Sequence, residues 1–199
     1  MRKIEISDNR ILDAAIEEFG DKGYALASTN VIAKQAGVSK GAVFKHYPTK
    51  AELFYAAFER ELSKMVNGLT VAMGTIPKQS PFTTIALIVD WKARYSLEHP
   101  NAAKVMLEGI VSPPKKMDMK TQELLGKLKT FSGRYIFKDL DWSSFDPRYS
   151  KEDILSVLET AISGLQARYV RPGLTVDELT GIRDECTDFL KIVIKGMEK

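Results

Sequence analysis

Five lysines and no carboxylate occupy the thirty residues from Lys22 to Ala51: Lys22, Lys34, Lys40, Lys45 and Lys50. Ammonium groups without neighbouring acids are suited to neutralising a polyanion, above all one made of phosphates. The flanks set this block apart. Residues 1–21 carry three basic side chains (Arg2, Lys3, Arg10) and six acids (Glu5, Asp8, Asp13, Glu17, Glu18, Asp21), a net of −3. The block nets +5 and the remainder +1, which together give the formal charge of +3. The total says little about partners; the distribution favours a nucleic acid.

Other chemistries find fewer residues to work with. The two histidines, His46 and His99, stand far apart, and Cys186 is the one cysteine. No His or Cys pair has metal-ligand spacing, and there is no phosphate-cradling glycine loop and no G-x-S-x-G. Cys186 lies in an apolar helical pattern and reads as packing. One cysteine permits no internal disulfide, which fits a reducing cytosol. The start, "MRKIEISDN", lacks a signal-peptide core, and the longest aliphatic run, "IALIV" at 85–89, is too short to cross a bilayer. The expectation is a cytoplasmic protein without metal or cofactor that is not an enzyme.

The elements that position the lysines are helical. With 199 residues, 44% of them hydrophobic, the chain can bury a substantial core. Helical periodicity runs through it and strand-like alternation does not. Ile11, Leu12, Ala15, Ile16 and Phe19 form one stripe of a first helix, which "GDKG" ends with Gly23 as a left-handed cap. Ser28 offers an N-cap for a second helix over about 29–36, and Gly37 stops it. Ser39 caps a third over about 40–46, and Pro48 prevents its continuation. Thr49 and Glu52 form a T-x-x-E capping box that opens a long fourth helix.

Helices follow from Ser80-Pro81 to about Glu98, from Pro100 to Val111, and from about Met117 to Lys138. Ser150 with Asp153, and Thr175 with Glu178, open the last two. The total is about nine helices: an all-α fold with a three-helix helix-turn-helix domain at 1–50 (motif 28–47). A second helical domain is expected at 51–199.

Two short helices joined by "GVS" have the helix-turn-helix arrangement, in which the second projects its N-terminal side chains into a DNA major groove. Gly41 and Ala42 are small enough to let that helix approach base edges. Lys34, Lys40, Lys45 and Lys50 can neutralise phosphates. The same corner also occurs in proteins that bind no nucleic acid, where lysines form a solvated face. Val31, Ile32, Ala33, Val38 and Val43 read as core.

The stretch "ILDAAIEEFGDKGYALASTNVIAKQAGVSKGAVFKHYPTKAELFYAAF" resembles the N-terminal domain of the TetR family of transcriptional regulators. It carries both the "IL.AA...F...GY" first helix and "T...IA..AGVSKG..F.HY..K.EL". The resemblance implies that Thr29 and Asn30 touch the DNA backbone or a base edge. Ser39, Lys40, Gly41 and Ala42 would face bases. His46, Tyr47 and Lys50 would contact phosphate, Lys50 with help from a helix N-terminus. One departure is Phe44, where the family often has tyrosine; without a hydroxyl it would pack on sugar or a thymine methyl. Lys45, in place of a frequent aromatic, would add a phosphate contact.

The last two helices are apolar on more than one face: Ile154, Leu155, Leu158, Ile162 and Leu165, then Ile182, Phe189, Leu190, Val193, Ile194 and Met197. Two wide stripes suggest a core side and a partner side. The family's arrangement implies a homodimer through this pair, matched to a palindromic duplex operator. It also implies a pocket for a small, mostly apolar effector among the central helices, with Trp91, Tyr95, Phe131 and Gln166 as candidates. The same aromatic residues also read as plain core. The expected function is a ligand-released repressor. An all-α dimeric interaction module without DNA binding is the alternative, and an α-helical enzyme lacks a convergent acid–base pair.

Overall fold

The computed structural model describes residues 2–75, 81–136, 142–169 and 176–199. These residues form nine α-helices and no strand: α1 (Arg2–Leu26), α2 (Thr29–Gln35), α3 (Lys40–His46), α4 (Lys50–Gly74), α5 (Pro81–Glu98), α6 (Pro100–Val111), α7 (Asp118–Ile136), α8 (Lys151–Tyr169) and α9 (Val176–Lys195). One 3₁₀ turn, Lys115–Met117, precedes α7. Ser80 and Thr175, two of the expected helix-start signals, lie outside the described residues.

The chain divides into two compact units. One comprises Met1–Val66 with Glu98–Lys129, the other Asn67–Leu97 with Thr130–Lys199. The first therefore joins α6 to the N-terminal helices. Its core is built on the α1 stripe, with Ile11, Ala15 and Phe19 essentially fully buried. Phe19 meets Phe54 edge-on at 5.1 Å, and Tyr24 meets Phe54 edge-on at 5.3 Å. Each such ring removes enough apolar surface from water to contribute about 1.5–3 kcal/mol.

α6 crosses α1 at close range, and glycine makes the approach possible. A Cβ on Gly20 would fall 2.5 Å from Asn101 Cβ, and one on Gly109 would fall 2.3 Å from the Phe58 ring. Asn101 Nδ2 donates to Glu17 Oε2 at 2.7 Å. α1 itself kinks at Gly23, whose φ of 72° and ψ of 164° lie outside the helical region. The expected break at "GDKG" is thus present, but helix resumes for one more turn. The freed N–H of Tyr24 is taken by α6: both carboxylate oxygens of Glu108 accept it at 3.0 Å.

The second unit has its own core, in which Phe145, Ile154, Leu158, Leu190, Ile194 and Met197 are buried together and Val89 of α5 packs against them. α8 opens on a reciprocal capping box. Ser150 N–H donates to Asp153 Oδ2 at 3.0 Å and Asp153 N–H donates to Ser150 Oγ at 3.1 Å. Residues after α9 pair with the segment before α8: Asp146 N–H donates to Met197 O and Lys199 N–H to Ser144 O.

The Gly109–Phe58 contact supplies a test. Alanine in a helix normally stabilises by about 1 kcal/mol over glycine. Here Phe58 is fully buried, so the ring has nowhere to go and overpacking, at about 1–3 kcal/mol, outweighs that gain. Gly109→Ala should lower stability in urea unfolding, whereas Gly126→Ala, with open space at its Cβ, should not.

Candidate nucleic-acid interface

α2 and α3 have seven residues each, too short to persist alone in water. Burial and capping hold them. Ile32 and Ala33 of α2 and Val43 of α3 are buried. Gly37, at φ 66°, supplies the left-handed residue that reverses the chain after Ala36. Ser39 is the N-cap of α3, its Oγ accepting from Ala42 N at 3.1 Å. Thr49 does the same for α4, accepting from Glu52 N at 3.1 Å, and its hydroxyl donates to Glu52 Oε2. All three helix-start and helix-stop devices act where the sequence puts them.

Two local expectations need correction. Ser28 stands at the N-cap of α2, but its side chain caps nothing. Its backbone N–H instead donates to Glu18 Oε1 at 2.9 Å. Glu18 is 8% exposed, and it sits on the buried α1 stripe seven residues after Ile11. An acid on an apolar stripe was the available signal. Val31, expected in the core, is 39% exposed, because α2 buries only the Ile32–Ala33–Ala36 side. Val38 is half-buried.

The residues assigned to DNA lie between Thr29 and Lys50, on α2, α3 and the start of α4. Asn30, Ser39, Lys40, Gly41 and Lys45 are exposed, while Thr29, Ala42, Phe44, His46, Tyr47 and Lys50 are half-buried. Lys40 Nζ sits 5.8 Å from the centre of the Phe44 ring, one helical turn on. The ring that lacks a hydroxyl therefore supports the cation at the start of the helix. Lys50 Nζ donates to Ala25 O at 3.1 Å and lies over the Tyr24 ring at 5.0 Å. One of its three N–H groups is thereby used, and the side chain is steered toward the α1–α2 junction.

Tyr47 and His46 converge on an acid that no pattern in the sequence singles out. The Tyr47 hydroxyl donates to Asp8 Oδ1 at 2.6 Å, and His46 Nδ1 lies 3.5 Å from the same oxygen. Asp8 is 39 residues from Tyr47 in the chain, with no local pattern linking them. With its one hydrogen on Asp8, the hydroxyl must leave this carboxylate before it can donate to a phosphate. Burial first, and the Asp8 hydrogen bond second, push the Tyr47 phenol above the usual tyrosine range.

The first unit also contains a cleft of about 790 Å³ lined by parts of α1, α4 and the start of α6. Arg60 and Lys64 within it are paired. Arg60 donates to Asp13 at 2.7 Å, to Glu61 at 3.1 Å and to the Asn9 carbonyl at 3.3 Å, and Lys64 donates to Glu61 at 2.9 Å. None of the four residues expected to line an effector pocket borders it. Trp91 and Tyr95 stack on each other in the second unit, ring centres 5.3 Å apart. The side chains of Phe131 and Gln166 lie outside the described residues.

An all-α chain with this capped helix pair and acid-free cationic face is a helix-turn-helix protein. Residues 11–57 match the model of bacterial regulatory proteins of the TetR family. The match takes in the helix-turn-helix with the helices on either side of it, so this N-terminal part of the chain is similar to the corresponding domain of those regulators.

Among curated relatives it is 39% identical over 66 residues to the HTH-type transcriptional activator FasR of Mycolicibacterium smegmatis, covering 33% of this chain and 30% of that one. It is 36% identical over 80 residues to an HTH-type transcriptional regulator of Mycobacterium tuberculosis, covering 40% and 41%. The matched part is thus under half the length of either relative. Solved structures share the fold along nearly the whole chain. NalD, described as the secondary repressor of the MexAB-OprM multidrug efflux pump of Pseudomonas aeruginosa, aligns at a TM-score of 0.63 and 19% identity over 98% of both chains. A transcriptional regulator of Aquifex aeolicus aligns at 0.63 and 21% over 94% of this chain and 99% of that one.

The Tyr47–Asp8 bond has a pH signature. A raised phenol stays protonated in the folded chain while the unfolded chain ionises near pH ~10. The stability that Tyr47 contributes is therefore complete below that pH and is lost as pH rises toward its folded value. Chemical unfolding of the native chain and of Tyr47→Phe should show a constant gap up to about pH 9 that shrinks above it. A gap that widens with alkali would mean the phenol is not protected.

Proposed function

We propose that this chain is a sequence-specific regulator that binds a palindromic double-stranded DNA operator as a homodimer and is released by a small effector. Residues 1–50 read the operator; residues 51–199 dimerise and bind the effector. The observation that carries the reading is the first turn of α3. Ser39, Lys40 and Gly41 are exposed there on a helix held in place by fully buried Val43. A rigid, cation-bearing helix start with minimal side-chain bulk is what major-groove docking requires. Lys45 and Lys50 flank it as phosphate contacts, with the backbone neutralisation supplying affinity and the α3 start supplying choice of sequence.

Two-fold binding is supported by the second unit. Phe189 and Ile192 of α9 are 43% and 72% exposed, and Val157 of α8 is 45% exposed, on helices whose other faces build the core. A pair of such faces buries these side chains when two chains meet. Release follows if the effector binds a DNA-incompetent arrangement more tightly, by at least the free energy it must shift. α4 and α7 both have residues in each of the two units; α4 opens next to the α3 corner, so its position is what the effector has to bias.

Lys50→Ala should weaken binding to every duplex and reduce the slope of log affinity against log salt by about one. Lys40→Ala should also change the ranking of operators. Salt-dependent fluorescence anisotropy on operator and scrambled duplexes separates the two outcomes, and unchanged affinity in Lys50→Ala would remove that lysine from the phosphate face. Ile192→Asp should leave helix content intact while shifting sedimentation toward the monomer and removing most operator affinity. A dimer that survives it places the interface elsewhere.

A further inference from the structure

The last turn of α1 is a separate piece of helix, and side chains from two other helices hold it. Gly23, at φ 72° and ψ 164°, breaks α1, and one turn resumes beyond it, closed by the Ala27 N–H donating to Gly23 O at 3.0 Å. A single turn fixes more backbone freedom than its one hydrogen bond offsets, so its place depends on what surrounds it. At its start the Tyr24 N–H is taken by both carboxylate oxygens of Glu108, from α6, at 3.0 Å. An acid there complements the partial positive charge of a helix start. At its other end the Ala25 carbonyl accepts from Lys50 Nζ, from α4, at 3.1 Å, and a cation complements that end.

Lys50 is therefore placed by this turn twice. Its ammonium bonds the Ala25 carbonyl and lies 5.0 Å from the centre of the Tyr24 ring. One contact comes from the residue that Glu108 holds and the other from the next residue in the chain. The Tyr24 ring is seated edge-on against Phe54 at 5.3 Å. The Glu108 carboxylate lies against Gly23, where an added Cβ would stand 3.8 and 3.9 Å from its two oxygens. Glu108 is itself fixed by its neighbour, because Gly109 packs so closely on Phe58 that an added Cβ would fall 2.3 Å from the ring. The acid and the turn it holds thus have little freedom to move apart.

A lysine on its flexible stem loses side-chain freedom when it meets a phosphate, and one that is already held loses less. We propose that Glu108 is a positioning residue for DNA binding: through the Tyr24–Ala27 turn it sets where the Lys50 ammonium stands to meet a backbone phosphate. One N–H of the ammonium stays on the Ala25 carbonyl, and the other two serve the phosphate. Glu108 acts through the turn, without a contact to DNA. The inference rests on the reading of Lys50 as a phosphate contact. It adds a residue of α6, outside the matched segment 11–57, to the machinery that meets the duplex.

Salt-dependent fluorescence anisotropy of the full chain on a mixed-sequence duplex tests it. Glu108→Ala should reduce the slope of log affinity against log salt as much as Lys50→Ala does, and the double variant should show no further reduction. Reach should matter more than charge. Glu108→Gln keeps an acceptor at the same length and should keep the native slope, while Glu108→Asp, shorter by one methylene, should lose it. Asn101→Ala removes another α1–α6 hydrogen bond, the one to Glu17, and should leave the slope alone however far it lowers the melting point. A native slope in Glu108→Ala and Glu108→Asp, losses that add in the double variant, or tighter binding without the carboxylate overturns the assignment while leaving Lys50 on the phosphate face. So does an Asn101→Ala that lowers the slope equally. A native chain that binds no duplex, or a Lys50→Ala that binds as tightly as the native chain, overturns the reading of Lys50 and the positioning role together. The contrast between Gln and Asp decides the matter even if Glu108→Ala does not fold.

Discussion

The recognition helix cannot hold its own shape, and the rest of the N-terminal unit is organised around that constraint. Seven residues of α3 close too few hydrogen bonds to offset the entropy of nucleation. Its structure therefore comes from outside the helix: Val43 buried in the core, Ser39 bonded to the first turn, and Gly37 turning the chain in a conformation costly for any side chain. α2 depends on the same core through Ile32 and Ala33. The large rings of α1 and α4 anchor that core, so the short motif proposed to meet DNA is kept rigid by residues of the core behind it.

Charge is divided in a related way. The carboxylates of this unit work inward or along the seams. Glu18 satisfies the Ser28 N–H, Glu108 the Tyr24 N–H, Asp8 the Tyr47 hydroxyl, and Glu61 joins Arg60 and Lys64. A buried N–H left without an acceptor costs about 1–3 kcal/mol, so these acids are structural necessities at helix ends. Lys40 and Lys45 face outward on α3 with no acid nearby in sequence. The acid-free block seen in the sequence is thus one half of an arrangement whose other half is an acid-rich first helix folded beneath it.

That division explains what was legible. Capping serines and threonines, the Gly37 turn and the helical stripes are local signals, and local hydrogen bonding settles them: Ser39, Thr49, Ser150 and Gly37 act as their sequence neighbourhoods imply, whereas Gly23 kinks α1 instead of capping its end. Val31 and Ser28 were misread because which side of α2 is buried, and which acceptor reaches its first N–H, are decided by α1 rather than by α2. The Asp8–Tyr47 and Glu108–Tyr24 bonds span 39 and 84 residues, and no periodicity encodes a pairing at that distance. Gly20 and Gly109 carried no legible meaning until α6 was seen to need their missing side chains.

In the cleft of the first unit, pairing matters more than volume in deciding whether a ligand could bind. Its Arg60 already donates to two carboxylates and a carbonyl, so an incoming charge finds there only bonds that it would have to displace. Each displaced bond must be replaced by one at least as good, and a small molecule gains little from the exchange.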